Sequence, residues 1–262
     1  MGCSRVGGLV TRTAVSWQWG NVDATEEGRD VYLTHRPTNA TLRVCGGRLR
    51  RDAGYGDATP VVRRELARVG AIIRLRQRGR YYLHASAAVD THGRAFVLAG
   101  NSGTGKSTLA FALAKSGWSI LGDDGVIVDA ERGEIVAHAW RGPLMVSAAL
   151  TGPFRELAGH GVHAMKGDSR QRIPISAAQA NRGRVSALLF LERSPVFAIT
   201  RLGPRDCLAA LIRQSPWVIL GDGESRRHLD TLRRMAAIPA FHLRHTAAEV
   251  GRMGEILAEA LS

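Results

Sequence analysis

Lysine is nearly missing from this chain of 262 residues: of 36 cationic side chains only Lys106, Lys115 and Lys166 are lysines, and the rest are arginines. Against 23 acidic residues this leaves a net charge of +13, which alone would point to nucleic acid. Two further absences argue against that. Aromatic residues make up only 6%, and no dense basic run is interleaved with them, so the stacking platform of a single-strand binder is missing. The excess of arginine over lysine is what codon use in a GC-rich genome produces, and the arginines are spread as RR and RxR pairs along amphipathic stretches. A nucleic-acid partner is therefore disfavoured, and an anionic peptide or phosphorylated partner fits the charge better.

Cysteine is scarce too. Cys3, Cys45 and Cys207 are far apart and odd in number, so they form neither a disulfide framework nor a CxxC metal clip. Reduced, structural cysteines are expected. No run of apolar residues is long enough for a membrane-spanning helix, so no membrane partner is expected. The start, MGCSRVGGLV, is a poor signal peptide, and Val6 stands where a myristoylation signal needs Ser or Thr. A soluble cytoplasmic protein is the expectation. The hydrophobic content of 45% is ordinary for a globular protein with a sizeable core.

What is present divides the chain in two. Over residues 1–58, LVTRTAVSWQW, DVYLTH and ATLRVCG read as short strands separated by GNVDATEEG and RPTN, a small β-rich region. Residues 59–262 read as one larger domain. Pro60 opens a helix through VVRRELARVGAI, and AFVLAG is a buried strand. STLAFALAKSG is a helix with Leu109, Ala110, Leu113 and Ala114 on one face and Gly117 at its end. WSILGDDGVIVDA reads as a strand interrupted by its acidic pair. Residues 152–174 show no sustained period and read as a long or mobile connection. RVSALLFLER, VFAITRL and AFHLRH are strands. RDCLAALIRQ, SRRHLDTLRRMAAI and AAEVGRMGEILAEAL are helices. This alternation indicates an α/β fold.

Gly100, Asn101, Ser102, Gly103, Thr104, Gly105, Lys106 and Ser107 satisfy G-x-x-x-x-G-K-[ST] between the buried strand and the helix, and Thr108 follows. Glycines let the backbone curl its N–H groups inward, and the helix adds its positive end. Lys106 would reach the β- and γ-phosphates of a nucleotide such as ATP, and Ser107 would hold Mg²⁺. With so few lysines, chance would produce this pattern only about 0.004 times in the chain. Asp123 and Asp124 follow Lys106 by 17 and 18 residues, at the end of the next strand. One carboxylate there can orient a metal while the other takes a proton from an incoming hydroxyl. Asp123 is read as the base and Asp124 as the metal ligand, with an exchange of roles left open. Lys166, Arg170 and Arg172 form a basic stretch that could close over the γ-phosphate as a clamp. Arg213 is a weaker candidate, His92 reads as a turn residue, and Trp118, Trp140 and Trp217 as core.

Residues 84–128, HASAAVDTHGRAFVLAGNSGTGKSTLAFALAKSGWSILGDDGVIV, about a sixth of the chain, resemble the core of the HPr serine kinase/phosphorylase family. That family belongs with phosphoenolpyruvate carboxykinase in one P-loop group. Its pattern is a histidine on a strand, a return into the P-loop strand, the glycine loop, and a short helix leading to paired aspartates. His84 matches the histidine, Gly100–Ser107 the loop, and Asp123 with Asp124 the pair. Residues 184–215 further resemble small HPr-kinase-like proteins of peptide-modifying gene clusters, among them lasso-peptide precursor kinases. The resemblance implies a P-loop kinase core like the HPr kinase C-terminal domain, ATP and Mg²⁺ as cofactors, and a serine of a precursor peptide or protein as acceptor. It also implies a role for His84 beside the acidic pair, tuning the base or contacting phosphate. Thr108 stands where bifunctional members carry Glu, and their RPGRN-type signature and larger N-terminal domain are absent from this sequence. Kinase activity is therefore implied, and phosphorylase activity is not. A kinase for a free small molecule such as an amino acid, a nucleotide-gated regulatory protein, and a homo-oligomeric state all stay open at this level.

Overall fold

Residues 22–45 alternate apolar with polar side chains, and the apolar set is buried: Val22, Ala24, Val31, Leu33, Leu42 and Val44 are each 3% exposed or less. The computed structural model describes residues 17–141, 144–147, 163–164, 170–173, 180–219, 223–246 and 248–260. In it this pattern forms a sequential antiparallel meander of β1 (Trp17–Trp19), β2 (Val22–Glu27), β3 (Asp30–His35), β4 (Ala40–Cys45) and β5 (Arg48–Arg51). Helix α1 (Pro60–Arg76) lies on the meander. Thr59 caps it by accepting from the Val62 N–H, and Leu66, Val69, Ile72 and Ile73 are buried. At its end the Gln77 side chain accepts from the Gly47 N–H and donates to the Arg29 carbonyl.

The chain divides into two compact units, Met1–Gly79 with Ile219–Arg226, and Arg80–Val218 with Arg227–Ser262. This break falls after α1, whereas the sequence reading puts it before α1, at 58/59. The reason is packing: α1 lays its apolar face on the meander, so close that a Cβ on Gly70 would come within 2.9 Å of Leu42 and Leu49. Two strands of this unit escape the sequence reading. Val22–Glu27, taken there as a separator, is β2, its four polar residues masking Val22 and Ala24. The strand β5 is wholly exposed and carries no apolar alternation to mark it.

The second unit is mixed α/β. It comprises β6 (Tyr81–Leu83), β7 (Ala85–Val89), β8 (Arg94–Ala99), α2 (Lys106–Lys115), β9 (Ser119–Gly122), β10 (Val126–Glu131), β11 (Glu134–Ala139), β12 (Leu144–Ser147), β13 (His163–Ala164), β14 (Arg170–Ile173), β15 (Arg182–Arg193), β16 (Ala198–Arg201), α3 (Pro204–Arg213), α4 (Ser225–Met235), β17 (Ala240–His245) and α5 (Met253–Ala260). The main sheet runs β6-β10-β11-β15-β8-β7-β9, with β17 on β15 and β16 on β17. β6 and β7 are one stretch bent at His84. β6 pairs with β10 while β7 pairs with β8 and β9, so the sheet turns back on itself and curls. β15, at 12 residues, is long enough to pair with β11 at its start and with β8 and β17, both parallel, further along.

Both faces of β8 are buried, which is why AFVLA reads as an unbroken apolar run. Ala95, Val97 and Ala99 join one core with Leu188, Phe190, Cys207, Leu211, Leu232 and Met235, from β15, α3 and α4. Phe96 and Leu98 join the other with Leu109, Leu113, Leu189, Leu243, Met253 and Leu257, from α2, β15, β17 and α5. Burial pushes the Cys207 thiol up to about 11, in keeping with an inert, reduced core cysteine. WSILGDDGVIVDA is two strands rather than one, β9 on β7 and β10 on β6 and β11, parted by the acidic turn. Nor is residues 152–174 wholly a connection: β13 and β14 lie within it and form a small sheet with β12. Strands of two and four residues are too short to show a period; pairing defines them. Among the described residues no helix is long and apolar enough to cross a membrane.

Candidate active site

The buried strand β8 ends at Ala99, and the chain enters α2 through the glycine loop, residues 100–107. Gly100, Gly103 and Gly105 all have positive φ. At Gly105 this is joined by a space constraint, because a Cβ would lie 3.0 Å from the His245 ring. No side chain caps the N-terminus of α2, so its first-turn N–H groups are left for something else to satisfy. Lys106 folds back into the loop, Nζ donating to the carbonyls of Gly100 (2.8 Å) and Asn101 (3.1 Å). Only 8% of it is exposed. Burial holds its ammonium below the ordinary lysine value, while the negative charges of Asp123 and Asp124 pull the other way. The loop lysine and both aspartates thus share one electrostatic neighbourhood. Ser107 is half-buried and Thr108 buried, whereas Asn101, Ser102 and Gly103 are exposed at the loop's tip.

The acidic turn is held from beneath. Ser86 on β7 donates to both the backbone carbonyl and Oδ1 of Asp123, at 2.9 Å for the latter. Tyr82 on β6 donates its hydroxyl to the Asp124 carbonyl and meets Trp140 edge-on. Asp123 is 4% exposed. The Asp124 side chain is half exposed, and its Oδ1 lies 3.6 Å from Nδ1 of His84. His84 sits at the bend between β6 and β7, its N–H donating to the Gln214 carbonyl at the end of α3. The next residue, Ser215, donates its hydroxyl to the Tyr82 carbonyl and touches His228, which stacks on Tyr81. The turn closes tightly: a Cβ on Gly125 would come 2.2 Å from the Tyr82 ring. Gly125→Ala should therefore destabilise the fold by about 1–3 kcal/mol, the usual cost of overpacking, seen as a lowered urea midpoint. An unchanged midpoint would show that the ring moves aside freely.

No family model matches the chain, and no curated protein matches it. Among solved structures, that of the Hpr(Ser) kinase/phosphatase from Coxiella burnetii is similar to it at 15% identity, with a TM-score of 0.35, covering 68% of this chain and 94% of that one. So distant a likeness carries no argument about activity. The site's own residues must.

The structure brings Lys106, Asp123, Asp124 and His84 to one place. Arg172 lies on β14, in the small sheet whose strand β12 lies against α2. The direction of its side chain, and Lys166 altogether, lie outside the described residues, as does Cys3. His92 stands in the β7–β8 turn, its N–H bonded to Asp90, and Arg213 is exposed at the end of α3. Trp118 and Trp217 are core residues.

The sequence reading misses Ser86, Tyr82, Gln214 and His245. All four reach the site by long-range pairing or packing, Tyr82 and Ser86 through the pairings of β6 and β7, and leave no local mark. Asp129, Glu131 and His138, on β10 and β11, also bring three ligand-type atoms within 4.8 Å of one another. Arg80 pairs with Asp129 (3.0 Å) and Arg182 with Glu131 (3.1 Å), which makes the group an ion-pair network.

Proposed function

We propose that the chain is an ATP-dependent kinase that transfers the γ-phosphate to a serine hydroxyl on a ribosomally made precursor peptide such as a lasso-peptide precursor. The observation that carries this reading is the meeting of Lys106, in a loop of three positive-φ glycines, with two carboxylates of unlike environment. The loop suits a polyphosphate: three backbone positions have positive φ, an uncapped helix end faces it, and the cation lies within it. The oxygen donors also suit Mg²⁺, which favours hydroxyl and carboxylate ligands and keeps part of its water shell. Ser107 and Asp124 would hold it, Asp124 being the more solvated carboxylate. Bound there, Mg²⁺ would balance phosphate charge.

Asp123 is the general base. Ser86 fixes the carboxylate's direction, as a proton acceptor that must meet one hydroxyl requires. As the serine oxygen forms its bond to the γ-phosphorus and the bond to the leaving ADP oxygen breaks, the hydroxyl proton passes to Asp123. His84 steadies Asp124 from the β6–β7 bend, its Nδ1 3.6 Å from Oδ1. An excess of 13 positive charges favours an acidic or phosphorylated acceptor over a neutral metabolite. Mapping the phosphorylated residue by tandem mass spectrometry, after incubation with ATP, Mg²⁺ and serine-bearing peptides, tests this reading; a panel left unmodified by enzyme that binds ATP would overturn it.

The basic stretch that includes Arg172 is proposed as a clamp over the γ-phosphate. Arg172→Ala should lower kcat by about 10-fold or more while leaving ATP affinity within about twofold, because a clamp acts on developing charge. Unchanged kcat and KM would mark Arg172 as solvated surface.

A further inference from the structure

At the foot of the glycine loop a buried histidine faces backbone oxygens with both ring nitrogens. His245 ends β17 and is 4% exposed. Its Nε2 lies 2.9 Å from the Thr104 carbonyl oxygen and its Nδ1 3.4 Å from that of Thr246. A carbonyl oxygen only accepts, so Nε2 must carry the proton in the shorter contact. The ring reaches the loop because Gly105 has no side chain: a Cβ there would sit 3.0 Å from Cε1 and 3.2 Å from Nε2. Glu249 finishes the turn beyond the ring, accepting from the N–H and hydroxyl of Thr246.

The peptide joining Thr104 to Gly105 is planar and trans, so its C=O and N–H point in opposite directions. A donor that holds the oxygen down therefore aims the Gly105 N–H up, into the concavity of the loop. We propose that His245 is a positioning residue for this loop, its Nε2–H fixing the 104–105 peptide so that the loop's N–H groups face an incoming phosphate before it arrives. The inference rests on the reading of residues 100–107 as a nucleotide-phosphate loop. It adds a brace from the far end of the chain, 139 residues beyond Lys106. The brace prepares the loop in advance, so ordering it costs less on binding.

Three proteins decide it: wild type, His245→Gln, whose amide N–H can reach the same oxygen, and His245→Leu, which fills the space but donates nothing. In the nucleotide-free proteins, amide hydrogen exchange over residues 100–107 should be faster in the Leu variant than in wild type, and restored in the Gln variant. Affinity for Mg²⁺-ATP should fall about 5- to 10-fold in the Leu variant, the worth of one ordinary hydrogen bond, and recover to within about twofold in the Gln variant. KM for the acceptor should not move. Equal exchange and equal affinity in the Leu and Gln variants would overturn the brace. Should wild type bind no nucleotide, the kinase reading falls, and the exchange comparison still decides whether His245 holds the loop. If the Leu variant does not fold, nitrogen-edited NMR of wild type replaces it: a slowly exchanging Nε2–H on His245 is expected, and a ring protonated only at Nδ1 would contradict the proposal.

Discussion

Lys106→Ala should abolish nucleotide-dependent phosphate transfer, a loss of at least about 10²–10³-fold, while the protein unfolds at nearly the wild-type temperature. Both halves follow from where the ammonium sits. Its partners are the carbonyls of Gly100 and Asn101, within the loop itself. Truncation removes a cation that burial makes costly to keep charged, and alanine is the best helix former at the first position of α2. Stability is thus spared. Transfer is not, because the cation that would balance the charge building on the β–γ bridging oxygen as it leaves is gone. Initial rates alongside a thermal melt check this. Turnover within a few-fold of wild type would remove residues 100–107 from the mechanism.

Asp123→Asn should lower turnover by at least about 10²-fold, the lower range for a positioned general base, with ATP affinity nearly unchanged. The substitution is informative because the asparagine oxygen can still accept from Ser86, so the turn keeps its geometry while the capacity to take a proton is lost. Asp124→Asn is the contrast. As the proposed metal ligand it should raise the Mg²⁺ concentration needed for half-maximal rate, and saturating Mg²⁺ should recover much of the activity. If the two variants swap these behaviours, the carboxylates swap roles. If both keep full turnover, neither takes part.

The reach of the sequence follows the range of the forces involved. β8 and the helix after the loop are legible because a run of buried apolar residues, or a 3.6-residue period ending at Gly117, is a local property. Residues 22–27 misread because Asp23, Glu26 and Glu27 resemble a loop until Val22 and Ala24 are seen to face α1 and the meander core. The allegiance of α1 could not be read at all, since it depends on which sheet receives Leu66, Val69, Ile72 and Ile73. The site divides the same way. The loop, the acidic pair and His84 lie within 41 consecutive residues, and one strand–loop–helix unit explains their spacing. Ser86, which holds the turn, lies within that stretch and Tyr82 two residues before it, but β-pairing decides their part. Gln214 and His245 come from the last third of the chain, delivered by α3 and by the parallel pairing of β17 with β15.

Whether the terminal phosphate goes to a hydroxyl or to water is measured by one partition. Enzyme, ATP and Mg²⁺ are incubated with and without a serine-bearing acceptor peptide, and the mass of the peptide is followed together with free phosphate. Slow phosphate release is expected without acceptor and, with it, a peptide that gains one phosphate on serine for each ADP formed. Fast phosphate release that is indifferent to peptides and small alcohols alike would contradict the kinase reading and make the chain an ATPase.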